Sequence, residues 1–239
     1  MNILITGGSS GLGAAIVQKL AVEGANKVWF TFASSSGNAS ALASAFPNAE
    51  ALHCDFTDAS SVAALCARIP EMDLDVLINN ANGKVHKEHF YKTDPEVFLK
   101  SFQQNIMPAI RITQQALVGF RKKRSGRIIN VISSYVVNKP PTGLSIYVAN
   151  KNYLLSMSNS WASEYAKFNI ASNCVSPSFM LTGLTADTDE RVIAQMEQEH
   201  PYHHLLTVGE AADTVAFLVT ATPQINGTNL IINAGSDIK

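Results

Sequence analysis

Cysteine is scarce in this chain. Only Cys54, Cys66 and Cys174 occur among its 239 residues, and no two of them form a C-x-x-C pair. An odd number of widely spaced cysteines does not match a disulfide framework. It predicts free, buried thiols in a reducing compartment.

Long apolar runs and strong charge are also missing. No apolar stretch reaches the roughly 18 residues that a membrane-spanning helix needs, and the N-terminus lacks the basic start of a signal peptide. Charged residues make up 15% of the chain and the formal net charge is −1, so the charge balance favours neither nucleic acid nor an acidic membrane as a partner. With 46% hydrophobic residues, the composition is that of a globular protein with a large core. We expect it in the cytoplasm.

What the chain does contain is an alternation of short apolar runs with longer helical patterns. The runs are apolar throughout, as in strands that are covered on both faces. They are Ile3–Ile5, Val28–Phe32, Ala51–Cys54, Val76–Ile78, Ile128–Ile132, Ala171–Val175 and Leu230–Ile232. Helical patterns cover Leu12–Val22, about 95–122 and about 145–167, and a last helix begins at a capping-box sequence starting at Thr207. The alternation predicts one α/β domain over residues 1–239, a Rossmann-type, doubly wound parallel sheet of seven strands with helices on both faces.

One long irregular stretch, from Pro177 to about Leu206, interrupts this alternation. It contains a helical pattern over Asp189–Glu199, set between loops. An insertion beside the carboxyl ends of the strands is typical of a segment that closes over substrate. We therefore expect a substrate lid at about 177–206. A shorter polar loop is predicted at Ser34–Asn38.

A glycine-rich segment follows the first predicted strand and opens the first predicted helix, with the spacing G-x-x-x-G-x-G. Glycine permits positive φ and a close approach of backbone to a ligand. The start of a helix also offers free N–H groups to a pyrophosphate. A glycine-rich turn that binds nothing is the alternative. The dinucleotide hypothesis assigns cofactor contacts to Gly7, Ser9, Ser10, Gly11, Leu12 and Gly13.

The second predicted strand bears on the type of dinucleotide. An acidic residue at its end usually binds the ribose 2′-hydroxyl of NAD, but no acid occurs between Glu23 and Glu50. Ser34 and its neighbouring serines could bind a 2′-phosphate instead. The pattern favours NADP(H) over NAD(H), although no Arg or Lys follows Lys27 in this segment to bind the phosphate.

Tyr147 and Lys151 lie four residues apart in the third helical pattern, so both side chains share one helix face. A phenol normally ionises near pH 10. A nearby ammonium lowers that pKa, so that the tyrosine can donate a proton to a carbonyl or remove one from an alcohol. Because Y-x-x-x-K is common on helices, a tyrosine packed beside a solvated lysine is the alternative. Ser134 lies at the end of the predicted strand Ile128–Ile132, and Asn105 lies within the long helical pattern at about 95–122.

Together these motifs resemble the short-chain dehydrogenase/reductase family, and most of all its 3-oxoacyl-acyl-carrier-protein reductases. The resemblance covers essentially the whole chain. The matching elements are T-G-G-S-S-G-L-G at 6–13, C-D-F at 54–56, N-N-A-N at 79–82, Asn105, Ser134, Tyr147 with Lys151, and P-S-F-M-L-T at 177–182. Their joint order and spacing make the match specific.

The resemblance implies catalytic roles. Tyr147 is expected to be the general acid in carbonyl reduction, while Lys151 lowers its pKa and binds the nicotinamide ribose. Ser134 is expected to bind the carbonyl oxygen, and Asn105 to hold a water that links Lys151 to solvent. Counting from the start of the preceding strand selects Ser133 instead, but the spacing to Tyr147 favours Ser134.

The resemblance also implies the remaining cofactor contacts. Asp55 and its neighbour Phe56 are expected at the adenine, Asn79 and Ala81 at the adenosine ribose, and Thr182 at the nicotinamide amide. Two family glycines are replaced, one by Asn82 and one by Ser178, so the backbone around the nicotinamide is expected to differ from the family pattern.

Arg121–Arg124 and Arg127 form a basic cluster near a predicted helix end. Such charge stabilises a helix C-terminus. By resemblance, the same cluster predicts docking of an acyl carrier protein near Arg124 and Arg127, with Lys167 as a partial second basic site. The histidines at 200, 203 and 204 have no acidic or cysteine partner at a metal-binding spacing, so no metal is predicted. A homodimer or homotetramer is implied by resemblance alone.

Three functions stay open at this point. The first is a ketoreductase that acts on a 3-oxoacyl thioester in fatty-acid or polyketide synthesis. The second is a dehydrogenase or reductase of a free small alcohol, sugar or steroid ketone. The third is a nucleotide-sensing or scaffold protein without chemistry, which Tyr147, Lys151 and Ser134 argue against.

Overall fold

The computed structural model describes residues 1–236. Within that range it contains one parallel sheet of seven strands in the order β3-β2-β1-β4-β5-β6-β7. The strands are β1 (Asn2–Ile5), β2 (Lys27–Phe32), β3 (Ala49–His53), β4 (Val76–Asn79), β5 (Gly126–Val131), β6 (Ile170–Pro177) and β7 (Asn229–Ile232). Each predicted apolar run overlaps one of these strands, and the predicted fold class is confirmed.

The helices alternate with the strands along the chain. They are α1 (Gly11–Ala21), α2 (Ser36–Ala45), α3 (Ala59–Arg68), α4 (Pro95–Asn105), α5 (Met107–Lys123), α6 (Ser145–Tyr165), α7 (Glu190–Glu199) and α8 (Val208–Thr220). The predicted capping box precedes α8, where the Thr207 hydroxyl accepts a hydrogen bond from the Glu210 N–H and the Glu210 carboxylate accepts one from the Thr207 N–H. No helix formed by residues 1–236 has the length and hydropathy needed to cross a bilayer.

Helices cover both faces of the sheet. α1 and α8 pack on one face, while α3, α5 and α6 pack on the other. Along β1, Ile3 and Ile5 belong to the first core and Leu4 belongs to the second. Because the two faces of the strand are both buried, it reads as a continuous apolar run instead of an alternating one.

The pattern predicted as one helix over about 95–122 is two helices. α4 ends at Asn105 and α5 begins at Met107, with Ile106 between them at φ −99° and ψ −48°. Pro108 lies in the first turn of α5. A proline is tolerated there because its missing N–H has no helical partner, whereas inside a continuous helix it would remove a hydrogen bond. The break places Asn105 at a helix end.

α2 and α3 are not distinguished by the sequence pattern, and the segment predicted as a polar loop contains the start of α2. The reason is sparse apolar spacing. α2 buries only Ala39 and Leu42, and α3 buries only Val62 and Leu65. Two apolar positions are too few to show a helical period among serines and alanines.

The segment 177–206 contains the predicted helix α7. Asp189 caps it by accepting a hydrogen bond from the Arg191 N–H. A short 3₁₀ turn, Gly183–Thr185, precedes it, and α7 itself buries no residue. The proposed movement of this segment as a lid stays a prediction.

Candidate active site

A cleft of about 890 Å³ lies at the carboxyl ends of the parallel strands. It is lined by the loops that follow β1, β2, β3, β4, β5 and β6. The strand order reverses between β1 and β4, so the connections on either side of this point leave in opposite directions and open a crevice. Ligands of open α/β sheets bind in such a crevice.

The glycine-rich loop after β1 forms one wall of the cleft and admits no side chain at two positions. Gly7 has φ +67°, and a Cβ there would lie 2.8 Å from the Ala81 Cα. A Cβ on Gly13 would lie 2.0 Å from the Gly7 carbonyl oxygen. The loop backbone can therefore approach a phosphate closely, and the N-terminus of α1 lies at the edge of the cleft. All six predicted loop residues, Gly7, Ser9, Ser10, Gly11, Leu12 and Gly13, line the cleft.

The N-N-A-N segment after β4 holds this loop, but not through the predicted residue. Asn79 is buried, donates hydrogen bonds to Thr113 and Asn130, and does not line the cleft. The Asn79 side chain therefore does not reach the cleft where the ribose was expected, because Asn79 is the last residue of β4 and faces the protein interior. The missed residue is Asn80, whose Nδ2 donates to the carbonyl oxygens of Thr6 and Gly7 at 3.0 Å each. Ala81 lines the cleft as predicted.

The ends of β2 and β3 form the adjoining part of the cleft. Ser34 lines it, together with Ser35 at the start of α2, and no acidic residue lies in the first turn of that helix. Asp55 and Phe56 line it as well. The Asp55 carboxylate accepts hydrogen bonds from the N–H and hydroxyl of Thr57 at 2.8 Å each. This carboxylate is thereby held in place by its own loop.

Tyr147 and Lys151 meet at the cleft as predicted, on one face of α6. Lys151 is only 4% exposed. Its Nζ donates to the Val131 carbonyl oxygen at 3.0 Å and lies 5.6 Å from the centre of the Tyr147 ring. Burial lowers the pKa of the Lys151 ammonium to about 8, so a proton on this group can be released near neutral pH.

The pKa of the Tyr147 phenol is raised, not lowered, in this arrangement. Burial is the main cause, and a hydrogen bond with Ser133 acts in the opposite direction. No lowering by Lys151 is seen; burial dominates the pKa of the phenol, and the Lys151 ammonium donates to the Val131 carbonyl oxygen. A raised pKa keeps the phenol protonated at neutral pH, so the proton that carbonyl reduction requires is present on Tyr147.

Ser133, not Ser134, is the serine beside Tyr147. Ser133 lines the cleft and acts to lower the pKa of the nearby Tyr147 phenol, whereas Ser134 is 2% exposed and does not line the cleft. The assignment to Ser134 is therefore corrected. Ser133 has extended backbone (φ −164°, ψ 148°) and caps the 3₁₀ turn that Ser134 begins, so the two side chains point to different sides. Counting from the start of β5 selects the correct residue.

Asn105 connects two parts of the site without lining the main cleft. Its Oδ1 accepts a hydrogen bond from the Gly83 N–H at 2.7 Å, and its Nδ2 donates to the Ser101 carbonyl at 2.9 Å. It borders a small cavity shared with Tyr147. The structure therefore shows Asn105 as an anchor for the loop after β4. Its role in holding a water stays a prediction.

Both residues that replace family glycines, Asn82 and Ser178, line the cleft. The Asn82 side chain donates to the Gly83 carbonyl at 2.7 Å and remains on the loop. Ser178 lines the cleft, and its buried hydroxyl has no hydrogen-bond partner within residues 1–236. A polar group of a ligand could satisfy that hydroxyl. Thr182 also lines the cleft, opposite Gly11, where a Cβ would lie 3.3 Å from the Thr182 Cβ.

The dinucleotide fits this site. One cleft contains three features that a dinucleotide needs. They are the glycine-rich loop, whose glycines leave no room for a Cβ at Gly7 and Gly13, the start of α1, and the unsatisfied Ser178 hydroxyl. Within residues 1–236, no group of three histidine, cysteine or acidic residues is arranged to hold a metal ion.

The basic residues predicted for carrier docking separate in the structure. The guanidinium groups of Arg121 and Arg124 lie 5.1 and 5.7 Å from the Phe168 ring centre, and the Lys167 ammonium lies 5.5 Å from it. Arg127 instead donates to the Ala221 carbonyl at 2.6 Å, beyond the end of α8 on the other face of the sheet. Arg127 therefore does not join the cations around Phe168, because it lies in β5 whereas Arg124 follows the end of α5.

Comparisons with known proteins agree with this geometry. A family model described as short chain dehydrogenase matches residues 1–193. The 3-oxoacyl-(acyl-carrier-protein) reductase FabG of Vibrio cholerae is 33% identical over 238 residues, covering 97% of this chain and 95% of that protein. The Escherichia coli K12 protein of the same name is 31% identical over 235 residues, with coverage of 97% and 95%.

Among solved structures, a short chain dehydrogenase from Burkholderia cenocepacia J2315 in complex with NADP superposes with a TM-score of 0.86 at 25% identity. It covers 99% of this chain and 98% of that one. The glycine-rich loop, the Tyr147–Lys151 pair and these matches together show that the chain belongs to the short-chain dehydrogenase/reductase family of NAD(P)-dependent oxidoreductases.

Proposed function

We propose that this protein is an NADPH-dependent ketoreductase that reduces a carrier-protein-bound 3-oxoacyl thioester to the 3-hydroxyacyl form, in fatty-acid or polyketide synthesis. The observation that carries the proposal is the meeting of the Tyr147 and Ser133 side chains in the cleft, above the buried Lys151. The names of the relatives in Vibrio cholerae and Escherichia coli support the substrate class.

The chain's own residues supply binding and the proton. When bound, a reduced nicotinamide supplies the hydride that goes to the carbonyl carbon. Tyr147 gives its phenolic proton to the carbonyl oxygen as the C=O bond becomes a C–O–H. The Ser133 hydroxyl donates a hydrogen bond to the same oxygen and stabilises the charge that develops on it. Lys151 orients the ribose and returns a proton toward Tyr147.

The preference for NADP(H) rests on the loop after β2. Ser34 and Ser35 line the cleft there, and the Ser35 side chain makes no capping hydrogen bond to α2. Its hydroxyl is thus available to a 2′-phosphate, whereas the N–H of Ser36 at the start of α2 donates to the Ser34 carbonyl oxygen. No carboxylate is present in the first turn of α2 to repel that phosphate.

Carrier docking rests on the cations around Phe168. Arg121, Arg124 and Lys167 surround an aromatic ring at the surface, and Arg124 also donates to the Lys167 carbonyl at 3.0 Å. A cluster of this kind complements an acidic protein and accelerates its association. The proposed docking surface therefore consists of Arg121, Arg124, Lys167 and Phe168, without Arg127.

Turnover of acetoacetyl-N-acetylcysteamine by purified protein, with NADPH and with NADH, tests the proposal. Reduction with NADPH, abolished in Tyr147→Phe, is the expected result. Turnover of free sugars or steroid ketones but not of the thioester would favour the second function. Tight NADPH binding without turnover of any of these would favour a nucleotide sensor.

A further inference from the structure

The segment Gly83–Glu88, which follows β4, is attached to the catalytic side of the cleft at both ends. At its start, the Gly83 N–H donates to the Asn105 side chain at 2.7 Å. At its end, the Glu88 N–H donates to the Gly143 carbonyl at 3.0 Å. Gly143 lies four residues before Tyr147. The segment is thereby held against the loop that leads into the catalytic helix.

This segment carries two lysines into the cleft lining. Lys84 follows the first attachment point directly and Lys87 precedes the second, and both line the cleft. Within residues 1–236, neither ammonium has a carboxylate oxygen within 4.0 Å. Their positive charges are therefore available to a ligand.

The acidic groups nearby do not cancel this charge. Glu88 does not line the cleft, and its carboxylate is 3.1 Å from the His86 Nε2. Asp55 does line it, but Asp55 follows β3 and is hydrogen-bonded by Thr57. The part of the cleft next to α6 thus has two exposed lysine cations and no lining carboxylate among the described residues.

We infer that Lys84 and Lys87 form an anion subsite for the substrate, which binds a carboxylate or phosphate group that the substrate carries away from its reacting carbonyl. The inference rests on the proposed function, because it places a carbonyl substrate beside Tyr147 in the same cleft. The pyrophosphate of the cofactor has its own site at the glycine-rich loop, so the two lysines are left for the other ligand. The anion has two sources: an acid group on the acyl chain, or the phosphate groups of a pantetheine-type carrier arm.

The test compares the double variant Lys84→Met/Lys87→Met with wild type. Methionine keeps an apolar stem of similar length and removes only the charge. Lys100→Met is the matched control, since Lys100 is an exposed lysine on α4 that does not line the cleft. Three thioester probes are used with saturating NADPH: acetoacetyl-N-acetylcysteamine, which is neutral; acetoacetyl-coenzyme A, which has phosphates; and the 3-oxoadipyl-N-acetylcysteamine thioester, which has a terminal carboxylate.

We expect kcat/KM of the double variant to fall about tenfold for at least one anionic probe, as for two solvent-exposed charge pairs, and to stay within twofold for the neutral probe. The probe that is affected identifies the source of the anion. In wild type, the ratio of kcat/KM for the affected anionic probe to kcat/KM for the neutral probe should fall as salt is raised from 0.05 to 0.5 M, because exposed charges are screened. Lys100→Met should match wild type throughout.

Binding separates this inference from the proposed function. If wild type reduces none of the probes, isothermal titration of the NADPH complex with each probe still reports whether the anionic ones bind more tightly and whether the lysines are required. A uniform loss on all three probes, no loss on any, or a weaker NADPH affinity in the double variant would each overturn the anion subsite. Reduction of the neutral probe would leave the ketoreductase proposal intact in those cases.

Discussion

The glycine-rich loop and the segment 177–206 border the same cleft but are built in opposite ways. In the loop, a Cβ on Gly13 would meet a carbonyl oxygen at 2.0 Å, and the Asn80 side chain holds the backbone through two hydrogen bonds. In the segment 177–206, α7 buries no residue, and Leu181 and Leu184 are 54% and 41% exposed. The first region leaves little freedom for change, whereas the second tolerates it. We therefore expect substitutions in the constrained wall to affect cofactor binding, and substitutions on the exposed part of the segment to affect mainly substrate choice.

The largest effect is expected at Tyr147, which lies between the two regions. Tyr147→Phe removes the proton donor, so kcat should fall by about 10³-fold while NADPH affinity stays within threefold. The measurement is steady-state turnover of acetoacetyl-N-acetylcysteamine, with NADPH binding followed by fluorescence. Tyr153→Phe on the same helix, where Tyr153 is 38% exposed, is the control. Equal activity in Tyr147→Phe and wild type would remove the basis of the mechanism.

The next effect distinguishes two adjacent serines. Ser133→Ala should lower kcat by about 10²-fold, because it removes one donor to the developing oxyanion. Ser134→Ala should keep most of the activity, since Ser134 does not line the cleft. A larger loss for Ser134→Ala, with an unchanged melting temperature, would restore the assignment made from spacing to Tyr147.

A pair of glycine substitutions tests the comparison directly. Gly13→Ala places a methyl group against the Gly7 carbonyl and should weaken NADPH binding at least tenfold, with a loss of about 1–3 kcal/mol in the free energy of unfolding. Gly183→Ala meets no atom within 4 Å and should change both quantities little. Fluorescence titration and urea denaturation measure the two effects. Equal losses of NADPH affinity and stability at the two positions would contradict the difference in packing between the glycine-rich loop and the segment 177–206.

The smallest effect is a pH dependence of stability. Burial lowers the pKa of Lys151 to about 8, below the ordinary value near 10.4, so between these pH values the unfolded chain binds more protons than the folded one. Stability must then rise with pH over this window, and the full penalty of burial is present below about pH 8. The melting temperature of wild type should therefore rise relative to that of Lys151→Met as the pH is raised from 7 to 10. Parallel curves would contradict the buried, readily deprotonated lysine.

The predictions that came closest were those that depend on local chemistry. The apolar runs indicate buried strands because they are short and rich in Val and Ile, and each overlaps a strand of the sheet. The Tyr147–Lys151 spacing places both side chains on one face of α6 by helix geometry alone. The glycine loop is predictable for a similar reason, since only glycine allows its backbone path.

The predictions that were wrong concern which way a side chain points at the end of a strand. Asn79 and Asn80 are adjacent and chemically identical, yet one is bonded inside the protein and the other holds the glycine loop. Ser133 and Ser134 differ in the same way. Asn79 ends β4 and Asn80 follows it, while Ser133 has extended backbone and Ser134 begins a 3₁₀ turn, so an error of one residue at the strand end exchanges the roles of neighbouring side chains. Arg124 and Arg127 separate because one ends a helix and the other lies in a strand.

By itself, the sequence determined the fold class, the glycine-rich loop and the placing of Tyr147 and Lys151 on one helix face, because periodicity, glycine sterics and helix spacing act over a few neighbouring residues. Only the tertiary structure decided which serine meets Tyr147, which asparagine holds the glycine loop and which cations share a surface with Phe168. It also placed Lys84 and Lys87 in the cleft, through hydrogen bonds from Gly83 to Asn105 and from Glu88 to Gly143. Those contacts join residues more than 20 positions apart in the chain, and their formation depends on the packing of whole elements.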